Sequence, residues 1–201
     1  MRLIRAHVSN FKLLEDAHFE FSIDPKKPVT VILAENGSGK TSLLYALSWA
    51  FSGAAGLPVD SRGLRLISAD CQSGVAVTVQ VSIEFEQIDT SLGNQRYRLI
   101  RTMVETPRDG SDSVEKSSES IKVARLTSAG DESVPPEIIN KFFPQRLQHV
   151  FFTNGEDVQT FIAGSTEDET QQLVLRAIRQ LLGLESLETA ISDLESVTRK
   201  L

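Results

Sequence analysis

The sequence has 201 residues, a net charge of −6 and a single cysteine, Cys71. This length is enough for one well-filled core without a disulfide, and a lone cysteine fits a reducing compartment. The acidic balance argues against a protein that coats nucleic acid by bulk electrostatics. No apolar run approaches the ~18 residues of a membrane span, and the first residues do not resemble a signal peptide. We therefore expect a cytoplasmic protein with no membrane partner.

Two antiparallel strands are predicted at the N-terminus, separated by a turn over residues 12–16. Apolar side chains alternate with polar ones in both strands: Ile4, Ala6 and Val8 in the first, and Phe19, Phe21 and Ile23 in the second. Residues 24–28 contain two prolines and predict a turn that leads into the next element.

The segment from residue 29 to residue 51 predicts a strand, a phosphate-binding loop and a helix. Residues 29–33 are a continuous apolar run, which is typical of a buried strand. The pattern for such a loop begins with glycine, and this sequence has Ala34 there, so the match is one position short. The residues that we predict to bind the nucleotide in this loop are Asn36, Gly37, Ser38, Gly39, Lys40, Thr41 and Ser42.

This order of elements suits phosphate binding because the unpaired N–H groups at a helix N-terminus lie at the positive end of the helix dipole. Gly37 and Gly39 would let the backbone approach a phosphate closely. Lys40 would place its charge on the β- and γ-phosphates, and the Thr41 hydroxyl would coordinate Mg²⁺. The alternative is a glycine-rich turn that binds nothing, but it does not explain why Lys40 and Thr41 directly follow the last glycine.

The next part of the sequence predicts an antiparallel meander beside the nucleotide core. The phosphate-loop helix should end near Ser52 and Gly53, because glycine favours the left-handed cap. Alternating patterns predict strands over residues 75–86, 96–104 and 121–126. A short helix is predicted within residues 133–144, followed by a buried strand over residues 149–152.

A long helix is predicted to begin near Glu167, because Thr166 and Glu169 have the spacing of a capping box. Its later apolar positions step alternately by three and four, which is typical of a coiled coil. These positions are Leu184, Leu187, Ile191, Leu194, Thr198 and Leu201. An ordinary amphipathic helix is the alternative, but the pattern still continues at the last residue, so we favour a truncated coiled coil. We predict two domains, residues 1–164 with the nucleotide site and residues 165–201 with this helix.

An enzyme that hydrolyses a nucleoside triphosphate also needs an acidic residue at the end of a second buried strand to hold Mg²⁺. The nearest candidates are Asp70 and Glu84, and neither follows a continuous apolar run. The sequence also has no Leu-Ser-Gly-Gly-like segment that would contact a γ-phosphate from a partner. The active site is therefore predicted to be half present.

Together these motifs resemble the N-terminal half of an SMC-type ABC ATPase head. The resemblance rests on Asn10-Phe11-Lys12 after the first strand, on the phosphate loop, on the meander and on the loop before the coiled coil. Residues 143–156 are most similar to DndD, the SMC-like ATPase of DNA phosphorothioate modification, which has a proline, a run of phenylalanines and then an acidic residue followed by Gly-Glu. The SbcC-type repair ATPases have glutamine where this sequence has Asn154.

The resemblance implies an α/β P-loop NTPase fold of the ABC ATPase N-lobe type, with ATP and Mg²⁺ as cofactors. It implies that Lys40 and Asn154 are catalytic, that Thr41 and Asn154 contact the metal, and that Lys12 lies near the phosphates. Because asparagine is shorter than glutamine, we expect Asn154 to reach Mg²⁺ through a water molecule. A tight turn at Asn154 and a solvated lysine at position 12 are the alternatives.

The resemblance also implies partners. The C-terminal half of the same head would complete the active site, and two heads would dimerise around two ATP molecules. DNA and other DNA-modification or nuclease subunits would join the full complex, in DNA modification, restriction or repair. Alone, this chain should bind ATP with little turnover. The alternatives are a self-contained P-loop NTPase or kinase, with Asp70 or Glu84 on the metal, and a nucleotide-sensing interaction module.

Other polar and aromatic residues are predicted to be structural. Trp49 is expected in the core. The three histidines show no ligand-like spacing, so we predict no zinc: His7, His18 and His149. The densest basic run is predicted to form salt bridges: Arg96, Arg98, Arg101 and Arg108.

Overall fold

A computed structural model describes residues 1–57, 65–89, 93–108, 114–144 and 151–152. The chain divides into two compact units, residues 1–144 and residues 145–201. The strands and helices below all lie in the first unit. The predicted domain boundary after residue 164, the coiled-coil helix and Asn154 lie outside the described residues.

Within the described residues, seven strands form one antiparallel sheet. In chain order they are β1 (Arg2–Phe11), β2 (Leu14–Glu20), β3 (Val77–Asp89), β4 (Gly93–Pro107), β5 (Val114–Lys116), β6 (Ser120–Thr127) and β7 (Gly130–Val134). The spatial order is β2-β1-β3-β4-β6-β7, and β5 pairs with the end of β4. The predicted meander is confirmed, and the N-terminal strand pair extends the same sheet because β1 pairs with β3.

The helices cover one face of this sheet. α1 (Lys40–Ser52) packs across β1, β3 and β4, and a 3₁₀ turn (Gly53–Gly56) follows it. α2 (Ile138–Phe142) is short, as predicted from the two prolines that precede it and from Pro144, which follows it. Among the described residues, no helix is long and apolar enough to cross a membrane. The fold is therefore α/β, with a phosphate-type loop beside an antiparallel sheet, as the sequence predicts.

The core lies between α1 and the sheet and is rich in aromatic side chains. Trp49 is fully buried, as predicted, and its ring lies 5.8 Å from that of Phe11. The Phe51 ring lies 5.9 Å from that of Phe85 and 4.9 Å from that of Phe143. Aromatic pairs at such distances add to the stabilisation from area burial. These contacts pack the C-terminal half of α1 against β1 and β3.

Strands β3 and β4 alternate between this core and an outer charged face. The fully buried positions of β3 are Val79, Val81, Ile83 and Phe85. The same alternation in β4 places two charged residues on the core side, Arg101 and Glu105. Both are buried, and a buried charge is tolerated only where a partner satisfies it.

The arginines of the basic run are ion-paired, as predicted. The pairs are Arg96 with Glu86, Arg98 with Glu84 and Asp131, Arg101 with Glu119, and Arg108 with Glu115. Arg101 differs from the others because it is buried: its Nε donates to the Ala50 carbonyl at 3.0 Å. Its guanidinium also lies 5.8 Å from the Trp49 ring centroid. Arg101 therefore binds a carbonyl in the last turn of α1, where a positive charge is favourable.

Residues 29–33 do not form the buried strand that their apolar sequence predicts. Val29, Val31 and Leu33 are 73%, 71% and 90% exposed. The physical reason is pairing: a strand that is apolar on both faces needs neighbouring strands and covering helices. No strand in the described part of the chain pairs with this segment. The prediction of a strand over residues 149–152 also fails at Phe151, which is helical.

The phosphate loop as a candidate functional site

The phosphate loop leads directly into α1. Gly39 is the residue before the helix, with φ +98°, and Gly37 has φ +80°. Both angles lie in the region that glycine adopts readily and other residues avoid. Gly39 contributes no capping side chain, so the N–H groups of the first turn of α1 are available to an anion.

Lys40 folds back over the loop. Its Nζ donates to the carbonyl oxygens of Ala34 at 2.8 Å and Glu35 at 2.6 Å. The Glu35 carbonyl also accepts a hydrogen bond from the Ser38 hydroxyl at 2.7 Å. Lys40 is exposed, so its ammonium group can exchange these neutral acceptors for phosphate oxygens without displacing packed side chains.

The other predicted loop residues divide into exposed and buried positions. Asn36, Gly37, Ser38 and Thr41 are exposed, whereas Gly39 and Ser42 are buried. Thr41 therefore offers its hydroxyl to the solvent side of the first helical turn, which suits a contact with Mg²⁺. Ser42 faces the packed side of α1 and is poorly placed to contact a ligand directly.

Lys12 lies in the tight turn between β1 and β2, and this turn packs against the phosphate loop. A Cβ atom on Gly39 would lie 3.1 Å from the Leu14 side chain, which is how closely the two segments approach. The turn is strained, because Asn10 has φ +54° and Lys12 has φ +52°. Such backbone conformations in residues other than glycine cluster at functional sites.

The Lys12 side chain extends over α1. Its Nζ lies 5.6 Å from the centroid of the Tyr45 ring. Burial lowers the pKa of Lys12 below its ordinary value, and the negative charge of Glu105 partly offsets this. Lys12 is therefore a partly desolvated cation next to the phosphate-loop helix, and not the fully solvated lysine of the alternative interpretation.

Glu105 connects this turn to the sheet, and it is not among the residues predicted from the sequence. Its side chain is completely buried, and Oε2 accepts the backbone N–H groups of Leu66 at 2.8 Å and Ile67 at 3.2 Å. Oε1 lies 3.2 Å from Lys116 Nζ, an ion pair without a well-directed hydrogen bond. The Leu66 carbonyl in turn accepts the Lys12 N–H at 2.5 Å. The alternation of β4 could have revealed Glu105, because it shares the core side with Leu99.

Glu84 is not placed to hold a metal at the loop. It lies on the outer face of β3, whereas its neighbour Ile83 faces the core on the side of α1. Arg5 and Arg98 both bind its carboxylate. Burial alone would raise the pKa of Glu84, but the hydrogen bonds and charges of these arginines outweigh it and lower the pKa below the ordinary value. Asp70 is exposed and hydrogen-bonds locally to Ser68.

Comparisons with known proteins agree with this fold. A solved structure from work on the ATP-driven dimerization and DNA-stimulated activation of SMC ATPases matches with a TM-score of 0.54. The match covers 89% of this chain and 99% of that chain at 17% sequence identity, which shows a shared fold. No curated protein matches this chain. The family model described as AAA domain matches residues 5–201, so the chain belongs to the AAA domain family.

Proposed function

We propose that this chain is the ATP-binding N-terminal half of an SMC-like ATPase head. The observation that carries the proposal is the geometry of Lys40, whose exposed ammonium group lies over a loop with two positive-φ glycines at the start of α1. This arrangement offers a positive charge and open backbone donors to the same anion. The membership in the AAA domain family and the SMC ATPase-like fold support it.

Each residue of the loop has a role in this proposal. The N–H groups that follow Gly37 and Gly39 hold the phosphates, and Lys40 binds their β- and γ-oxygens. The Thr41 hydroxyl holds Mg²⁺, which would neutralise the charge that develops between these phosphates. Asn154, outside the described residues, would position water near the metal. Lys12 adds a second positive charge at the edge of the site.

The partner that completes the head is proposed to be the C-terminal half of the same ATPase. The exposed apolar segment over residues 29–33 supports this, because it has the composition of a buried strand and no strand in the described part of the chain pairs with it. A strand from the partner half would bury it and supply the missing acidic metal ligand next to the loop. Head-to-head dimerisation and a role for DNA, in modification, restriction or repair, follow by similarity to the SMC ATPases.

Calorimetry with Mg²⁺-ATP tests the nucleotide site. The unmodified chain should bind ATP, and Lys40→Ala should weaken binding by about tenfold or more, since it removes a charge-assisted contact worth about 1.5–3 kcal/mol. Lys26→Ala is the matched control, because Lys26 is an exposed lysine in the turn before the loop. Equal affinity in Lys40→Ala and in the control would contradict the proposed site.

Turnover on the same samples separates a half-head from a complete enzyme. We expect negligible hydrolysis by the purified chain, because neither Asp70 nor Glu84 follows a continuous apolar run that would form a second buried strand. Robust hydrolysis would overturn the half-head proposal and favour a self-contained NTPase.

Assembly with the C-terminal half tests the role of residues 29–33. Val31→Lys should abolish co-purification with that half, because a lysine cannot be buried unpaired in a sheet. The variant should keep the ATP affinity and stability of the chain alone, since Val31 is exposed there. Val75→Lys, another exposed valine, is the control. Equal assembly of both variants would contradict the proposed interface.

A further inference from the structure

The pairing of β1 with β2 brings two histidines and an aspartate together on the outer face of the sheet. His7 lies directly opposite His18, and Ser9 lies opposite Asp16. The two imidazole rings are stacked, with centroids 4.0 Å apart and planes 8° apart. Asp16 Oδ1 lies 2.6 Å from His7 Nε2 and 3.6 Å from His18 Nε2. The two histidines have no ligand-like spacing along the chain, but the register of β1 against β2 makes them neighbours.

We propose that His7, Asp16 and His18 form a binding site for one divalent transition-metal ion, each residue supplying one ligand atom. These three ligand atoms all lie within 4.8 Å of one another. Ligands on a tetrahedral ion with bonds of about 2.1 Å are separated by about 3.4 Å. The two distances to Asp16 Oδ1 lie on either side of that separation. A shift of about 1 Å or less in these side chains therefore closes the site around an ion.

The donor set determines which ions the site binds. Imidazole nitrogens suit Zn²⁺, Co²⁺, Ni²⁺ and Cu²⁺, whereas Mg²⁺ and Ca²⁺ prefer oxygen ligands. The site therefore differs in selectivity from the Mg²⁺ position proposed at the phosphate loop.

Three protein ligands leave coordination positions open for water or a small ligand. The side chains of His7, Asp16 and His18 are 35%, 72% and 68% exposed, so such ligands can enter. A cavity of about 250 Å³ lies beside both histidines. Arg5 also lines this cavity, but Glu84 pairs with it at 2.8 Å and balances its charge, so the positive ion is not repelled.

The site would join β2 to the strand beside it, β1. β2 is the first strand of the sheet and pairs with β1 alone in the described part of the chain. An ion held by His7 from β1 and by Asp16 and His18 from β2 would bridge these two strands across their turn. This role does not depend on the proposed ATPase function.

Titration with Co²⁺, followed by visible absorption, tests the proposal. The protein should carry no polyhistidine tag, Cys71 should be replaced by serine to remove the single thiol, and millimolar Mg²⁺ without nucleotide should be present. His18→Gln and Asp16→Asn should each weaken Co²⁺ binding by about tenfold or more. Both positions are exposed, so the variants should fold normally.

Two control variants test specificity. Glu15→Gln changes an exposed carboxylate on the opposite side of β2, and His149→Gln changes the third histidine. Both should bind Co²⁺ as the parent does. Paramagnetic broadening by Co²⁺ should also affect the imidazole NMR signals of His7 and His18 before that of His149. The proposal is overturned if the parent does not bind, or if the two ligand variants bind as tightly as the controls.

Discussion

Glu105→Gln probes the link between the sheet and the turn at the phosphate loop. Hydrogen bonds to a charged acceptor are worth about 1.5–3 kcal/mol, and those to a neutral acceptor about 0.5–1.5 kcal/mol. Weakening the two bonds from Leu66 and Ile67 should therefore cost about 2 kcal/mol, and the ion pair between Glu105 and Lys116 is lost as well. Glu105→Ala should cost about 3–5 kcal/mol, because it leaves both buried N–H groups without an acceptor.

Urea unfolding followed by the fluorescence of Trp49 measures this loss. Trp49 is the only tryptophan and is fully buried in the core of the first unit, so its signal reports on that unit. The same fluorescence signal can be followed in thermal unfolding. In a chain of this size, a loss of 1 kcal/mol in the free energy of unfolding lowers Tm by about 2–4 °C, so Glu105→Gln should lower Tm by about 4–8 °C. Glu115→Gln is the control: its side chain is 72% exposed and its ion pair with Arg108 should contribute little.

A structural readout accompanies the stability measurement. Hydrogen exchange at the amides of Leu66, Ile67 and Lys12 should become faster in Glu105→Gln, because these three groups belong to one hydrogen-bonded chain. A variant with the urea midpoint and exchange rates of the control would refute the reasoning that Glu105 anchors this segment.

Two further predictions concern the loop glycine and the outer face. Gly39→Ala should lower the free energy of unfolding by about 1–2 kcal/mol through backbone strain, and further because the new Cβ crowds Leu14. It should also weaken ATP binding. Urea unfolding followed by Trp49 fluorescence measures the first effect, and calorimetry measures the second. In Glu84→Gln, stability should fall less steeply with acid than in the parent, as measured by urea midpoints from about pH 6 to pH 3. Folding lowers the pKa of Glu84 below its ordinary value of 4.5. The stabilisation that the charged Glu84 carboxylate contributes is therefore present above pH 4.5 and is lost as the pH falls through the folded pKa.

The Gly39 prediction has a matched control variant, and both predictions have a result that would contradict them. Gly37→Ala has a similar positive φ with open space around it, so it should cost strain alone; equal losses in stability at Gly37 and Gly39 would mean that Leu14 does not crowd the loop. For Glu84, a variant that follows the parent at every pH would show that its arginine partners do not lower its pKa.

Sequence patterns correctly predicted the helices and strands that are determined by residues close together in the chain. The glycines and Lys40 fix the phosphate loop and the start of α1, and alternation fixes β3 and β4. Residues 29–33 show the limit of this reasoning. Their composition predicts a buried strand, but burial depends on a neighbour, and the sequence of a strand does not say where that neighbour is.

Residues that act across strands were also missed. His7 and His18 have no ligand-like spacing along the chain, and only the register of β1 against β2 makes them neighbours. Glu105 could have been assigned to the core side of β4, but the N–H groups that donate to it are 38 and 39 residues away in the chain. Pairing over such distances is a property of the folded topology.

The connection between β1 and β3 has a consequence for the order of folding. β1–β2, β3–β4 and β6–β7 are hairpins of adjacent strands, whereas pairing β1 with β3 joins Arg5 to Glu84, 79 residues apart. Closing a long loop costs chain entropy, so this contact should form late and set the folding rate. The phosphate loop and α1 lie inside the closed segment. A growing chain would therefore acquire its nucleotide site only after β3 has been synthesised and has found β1.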